Sequence, residues 1–224
     1  MSEKITTSNG YEIEQPIDIP SSGEFKGIIE AEFGIDGASP QERVMQLKSM
    51  APGDLALLID TINRVIQGSA DSLEYEDGTM KIGDHKTIPV EHRADVFLEM
   101  HRLLKEAPDD INPGRIGDFL ALGVVLLHPF RDGNGRTARV IGGVFREDYD
   151  NPDEWEKVYS AVAAPRDEAR SRGGFLLYGY IPHLPDGADR SNPGDVVRYM
   201  ESLFKSDRND LYTATYDGGS LYPE

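Results

Sequence analysis

LLHPFRDGNGRTAR, residues 126–139, joins an apolar run to a glycine turn and then to a basic segment. Gly133 and Gly135 permit backbone conformations closed to other residues, and let the main chain approach a ligand. A glycine turn that leads into a helix presents free N–H groups at the positive end of the helix dipole, an anion site suited to phosphate. Arg136 and Arg139, three apart, share one face of that helix in its first turns and would reinforce the same anion. Two cations at a helix N-terminus are unfavourable without one. Asp132 is a hard oxygen ligand fit for Mg²⁺ among phosphates. His128 is the nearby group able to accept a proton near neutral pH; an unperturbed imidazole titrates near 6.5. Nucleotide phosphate, metal and base are thus suggested together. Taken singly, each feature has a plainer reading: a histidine closing an apolar helix is usually structural, Gly-Asn-Gly is usually a turn, and arginines near a helix end are usually solvated or paired with carboxylates. A Walker-type loop is excluded, since no G-x-x-x-x-G-K-[ST] occurs.

The rest of the chain is acidic. Its 224 residues carry 23 Lys and Arg against 40 Asp and Glu, a formal net charge of -17, which argues against general binding to nucleic acid or an anionic membrane. The length allows one sizeable domain with a real core. The absence of cysteine excludes disulfides, thiolate metal sites and a cysteine nucleophile. The polar start, MSEKITTSNGYEIEQPIDIP, has no apolar core of signal-peptide length, and no stretch is apolar enough to span a bilayer. The expected location is the cytoplasm, with export by a route that needs no cleaved signal left open.

Outward from the motif, the pattern predicts a mainly α fold. Residues 1–38 read as an extended or weakly ordered arm. ASPQERVMQLKSM starts a helix, with Ser39 as cap, Pro40 at the first position and Glu42 at the positive end. PGDLALLIDTINRVIQGS predicts a second, capped by Asp54, with Leu55, Leu58, Ile62 and Val65 on one face and Gly68 as stop. Alternation around Met80, Ile82 and Ile88, with a Gly83-Asp84 turn, predicts a small hairpin over roughly 79–89. ADVFLEMHRLLKEA is helical and ends at Pro108. NPGRIGDFLALGVVLLHPF is apolar over nearly its full circumference, as a buried central helix would be. RTARVIGGVFRED, the segment from Pro152 to near Pro165, and SNPGDVVRYMESLFKS complete the helices; YDGGSLYPE reads as a loose tail. Residues 39–182 are taken as the principal domain and 183–224 as a C-terminal helix and tail. His92, His101 and His183 show no metal-ligand spacing, and Trp155 reads as packing.

HPFRDGNGRTAR resembles the signature of the Fic (filamentation induced by cAMP) family, His-Pro-Phe-x-(Asp/Glu)-Gly-Asn-Gly-Arg-x-x-Arg, with every fixed position filled. The resemblance implies a Fic-fold helical bundle with a small β-hairpin flap, and a protein adenylyltransferase (AMPylator) that moves AMP from ATP to a Ser, Thr or Tyr hydroxyl of a target protein. It implies His128 as the base and Asp132 as the ligand of Mg²⁺ bridging the α- and β-phosphates. Asn134, with the amides of Gly133 and Gly135, would hold the α-phosphate; Arg136 and Arg139 would hold the β- and γ-phosphates. Pro129 and Phe130 would anchor the loop, and Arg131, at a variable position, has no catalytic role. Glycine at 135, where Doc-type toxins carry lysine, favours nucleotidyl transfer over phosphorylation; removal of AMP by the same site is not excluded.

The resemblance also implies that Lys81, Ile82, Gly83, Asp84, His85, Lys86 and Thr87 form a flap that takes the target by β-strand addition. Without a partner, the same segment is an ordinary surface hairpin. The other functional class is a non-catalytic nucleotide-binding or interaction protein that keeps the fold. Many Fic proteins are held off by a helix with the pattern (Ser/Thr)-x-x-x-Glu-(Gly/Asn), whose glutamate pairs with the second motif arginine, here Arg139. Ser8 to Glu12 and Ser72 to Glu76 have the spacing but poor helical context. The expectation is that no internal inhibitory helix acts, that Arg139 is free, and that inhibition, where it occurs, comes from a separate antitoxin-like partner.

Overall fold

The computed structural model describes residues 4–6, 12–14, 20–34, 38–67, 81–82, 85–146, 149–163, 180–205, 212–216 and 219–220. The fold is mostly helical with few strands, as the apolar periodicity predicted. Its centre is α5, Pro113–Leu127, capped by Asn112, whose Oδ1 accepts the Gly114 N–H at 2.8 Å. Ten of its residues are buried, so the all-round apolar pattern does mark the core helix. Around it pack α2 (Pro40–Ser49), α4 (Val90–Glu106), α6 (Asn134–Val144) and α8 (Pro193–Lys205). The remaining helices are α1 (Ser22–Phe33), α3 (Pro52–Gln67) and α7 (Pro152–Ala163).

The backbones of α5 and α6 come close together. A Cβ on Gly117 would lie 2.8 Å from the Gly142 carbonyl oxygen, so two glycines let the backbones meet. Arg43, on α2 and 2% exposed, closes the far end of α6: Nη1 donates to the Val144 carbonyl at 2.9 Å, and Nη2 meets Asp150 at 3.1 Å. A cation at a helix C-terminus is favourable there. On α2, Ser39 is the anticipated cap with Pro40 in the first turn, and Glu42 completes a capping box with it. The second helix starts earlier than expected, at Pro52, so Asp54 is in its first turn and is not its cap.

Three expectations need correction. The arm is not extended throughout: residues 22–33 are helical, with Glu24 bonded to the Ser21 N–H at 3.0 Å. Phe25 and Ile29 are fully buried, and Phe25 stacks on Trp155 with centroids 5.7 Å apart. Trp155 Nε1 donates to the Ser22 carbonyl at 3.1 Å, and the Tyr159 hydroxyl donates to the Pro20 carbonyl at 2.7 Å. Upstream, β1 (Lys4–Thr6) pairs antiparallel with β2 (Glu12–Glu14). The C-terminal residues also pair: β5 (Tyr180–Pro182), β6 (Tyr212–Tyr216) and β7 (Gly219–Ser220) form an antiparallel sheet in that order, with Tyr180 opposite Ala214. The hairpin ends earlier than the 79–89 alternation suggested, since residues 87–89 are in no strand. β3 (Lys81–Ile82) pairs with β4 (His85–Lys86), Ile82 opposite His85; Thr79, Met80, Gly83 and Asp84 lie outside the described residues.

The last helix, α8, joins the same core. Val196, Tyr199, Met200 and Leu203 are buried, and Phe204 packs on Phe119 at 4.2 Å between centroids. Among the described residues no helix is long and apolar enough to cross a membrane.

Candidate active site

The motif spans the joint between α5 and α6. α5 stops at His128, which takes the left-handed conformation (φ 47°, ψ 57°) and donates its N–H to the Val124 carbonyl at 2.9 Å. Histidine tolerates that region better than most non-glycine residues. The Val125 backbone beside the ring favours its protonated form. Burial pushes the His128 pKa down to about 4; the Arg93 charge lowers it further, while the Val125 bond and Asp132 oppose the shift. His128 is therefore a neutral base across the physiological range.

Pro129 is half-buried and Phe130 is 2% exposed, the anchor expected from its apolar ring. Arg131 is exposed. Gly133 is the N-cap of α6 with φ 81°, so one glycine of the pair is in a conformation that demands glycine. Gly135 differs from expectation: α6 already begins at Asn134, and Gly135 is an ordinary helical residue in its first turn. The first intrahelical bond runs from the Thr137 N–H to the Gly133 carbonyl at 2.8 Å, so the N–H groups of residues 134–136 have no intrahelical acceptor. This is the anion-ready end that the sequence implied.

The side chains divide into two groups. Asp132 and Arg136 are half-buried and 3.5 Å apart, and Asp132 Oδ1 accepts the Gly133 N–H at 2.8 Å. Arg139 is 0% exposed: the helix face that carries it turns into the core. Asn134 is 3% exposed, and its amide is bonded to the Phe130 backbone, which leaves its own backbone N–H for the anion. Among the described residues no group of three or more His, Cys, Asp and Glu could hold a metal ion. The one carboxylate at the turn, Asp132, suits an ion that keeps waters and takes phosphate oxygens for its other ligands, which is the habit of Mg²⁺.

Sequence reading missed three contributors from outside the motif. Arg93, in the first turn of α4, acts electrostatically on His128 and bonds the Ile88 carbonyl at 3.3 Å. Asn63 Nδ2, on α3, donates to the Asp132 carbonyl at 3.0 Å and to Thr137 Oγ1 at 3.1 Å. Gln67 Oε1 accepts from Arg136 Nη2 at 3.0 Å. The signal available for Asn63 was a polar residue within the apolar face of α3, where it is fully buried beside Ile59, Ile62 and Ile66. Asn63, Gln67 and Gly68 also repeat the spacing of the inhibitory pattern, with amides in place of the hydroxyl and the carboxylate. Of the two segments that matched by spacing, Glu12 is in a strand, and residues 72–76 lie outside the described residues.

Of the flap residues, the structure gives the backbone pairing of Lys81, Ile82, His85 and Lys86; Lys86 is exposed and Thr87 buried. Beside β4 a pocket of about 580 Å³ is lined by Lys86 and residues of the 182–191 segment, none of them from the 128–139 motif. Residues 53–146, which run from the start of α3 to just past α6, match the model of the Fic/DOC family. No curated protein and no solved structure gives a match. With the motif complete and folded as a helix-turn-helix joint, residues 53–146 are a segment similar to the Fic/DOC family.

Proposed function

We propose that this protein is an adenylyltransferase that moves AMP from ATP to a Ser, Thr or Tyr hydroxyl of a target protein. The Fic family is generally associated with AMPylation and nucleotidyl transfer. The observation that carries the reading is the placement of His128, which ends α5 in a left-handed turn, a few residues before the N-terminus of α6.

In this reading the unprotonated ring nitrogen of His128 takes the hydroxyl proton as the oxygen bonds to the α-phosphorus. The bond from the α-phosphorus to the bridging oxygen breaks, and the electron pair leaves with pyrophosphate. General-base help of this kind is worth about 10²–10⁴-fold in rate. The N–H groups of residues 134–136 receive the α-phosphate oxygens, whose charge redistributes during attack. Arg136 receives the outer phosphates, and Arg139 adds positive charge from within the core. Asp132 would hold Mg²⁺, which supplies charge neutralisation between the α- and β-phosphates. The paired strands β3 and β4 offer a target backbone its hydrogen bonds.

The test uses α-labelled and γ-labelled ATP in parallel, with Mg²⁺ and cell lysate. The α-label alone should appear on protein, and His128→Ala should abolish it while still binding ATP. Transfer of the γ-label would mean phosphorylation. ATP binding with transfer of neither label would leave a nucleotide-binding protein.

A further inference from the structure

The end of α3 presses on the turn that starts α6. A Cβ added to Gly133 would come within 2.7 Å of Asn63 Nδ2 and would collide with the Gln67 side-chain nitrogen. Arginine has only donors, so the Gln67 atom that faces Arg136 must be its oxygen. That fixes the direction of the amide, and its nitrogen turns toward Gly133. The nitrogen is shut off from solvent and meets no acceptor among the described residues. A buried donor in that state is costly, and proteins rarely leave one without an acceptor. The Asp132 carbonyl beside it already accepts from Asn63.

We propose that Gln67 is a phosphate-binding residue: its side-chain N–H groups donate to an outer phosphate oxygen of ATP, and its oxygen holds Arg136 toward the same phosphate. The proposal rests on the adenylyltransferase reading. A polyphosphate whose α-phosphate is received by the N–H groups of residues 134–136 carries its outer oxygens toward Arg136, beside which the Gln67 nitrogen lacks an acceptor. The α-phosphate is met by those N–H groups; Gln67 is bonded to Arg136 and so serves the phosphates beyond it. A neutral amide can do this, because it anchors the guanidinium without placing negative charge against the polyphosphate.

The alternative is that Gln67 is a plug that keeps Arg136 from the nucleotide, and the two roles have opposite signs. Titration calorimetry on the full chain would compare wild type, Gln67→Ala, Gln67→Met and Gln67→Glu, with Mg-ATP and with AMP. Removal of a hydrogen bond to a charged group should weaken Mg-ATP about tenfold in Gln67→Ala and Gln67→Met. AMP, which lacks the outer phosphates, should change by less than about twofold on the same grounds. Gln67→Glu should bind Mg-ATP more weakly than Gln67→Ala, because its carboxylate pairs with Arg136 and repels phosphate. Equal or tighter Mg-ATP binding by Gln67→Ala and Gln67→Met overturns the proposal, as does an equal loss of AMP and Mg-ATP. A wild type that binds no Mg-ATP overturns the adenylyltransferase reading along with it.

Discussion

Asn134 holds Phe130 by both polar groups of its backbone: Oδ1 accepts the Phe130 N–H at 3.1 Å, and Nδ2 donates to the Phe130 carbonyl at 2.6 Å. One side chain thus closes the turn from α5 to α6 and seats the Phe130 ring in the core. Asn134→Ala orphans a buried donor and a buried acceptor, each worth about 1–3 kcal/mol. Urea unfolding should show a lower midpoint with an unchanged slope. A loss below about 0.5 kcal/mol, the ordinary effect of a surface change, would show that the clamp is idle.

The low pKa of His128 has a sign that can be checked. The folded value, about 4, is below the unfolded value near 6.5. Between them the unfolded chain binds the extra proton, so stability rises with pH across that window and is lost as pH falls through it. Asparagine tolerates the left-handed backbone at this position. His128→Asn should therefore flatten the pH dependence of stability between roughly pH 4 and 6.5. NMR titration of the free protein should show one imidazole, absent in the variant, with a midpoint far below the ordinary value. An ordinary midpoint would refute the burial argument.

Gly133→Ala should be among the most damaging single changes. Alanine is strained at φ 81°, and its methyl would enter the Asn63 and Gln67 amides. The expected cost is about 1–3 kcal/mol from strain alone. Mg-ATP affinity should fall as well, because relief of the clash moves the turn. Calorimetry beside thermal unfolding reads both, and a variant unchanged in either would count against this geometry.

Phe25→Ala removes a fully buried ring from the Trp155 stack and should cost about 3–5 kcal/mol. Trp155 is the chain's one tryptophan, so its emission reports the loss directly. A red shift under native conditions means that α1 has released the ring. Unchanged emission and stability would mean that α1 contributes nothing to the fold.

The geometry of the motif was legible in the sequence because it is local. A histidine that ends one helix, a glycine with positive φ and the first N–H groups of the next helix are neighbours in the chain, so one string of residues specifies them. The cap of α2 was readable for the same reason. What sequence alone left undecided depends on partners far along the chain. A helix as short as α1 is marginal by itself; its docking on Trp155 and Tyr159 decides it. The pairing of Tyr180 with Ala214 makes strands of a tail that reads as loose. The sequence suggested a start to α6 at Arg136, and the structure begins it earlier, at Asn134. Tertiary contact decided what surrounds the site. It also brought Asn63 and Gln67 against the turn, buried Arg139, and made His128 a far weaker base than a solvated imidazole. Each of these depends on which distant groups exclude water or supply a partner.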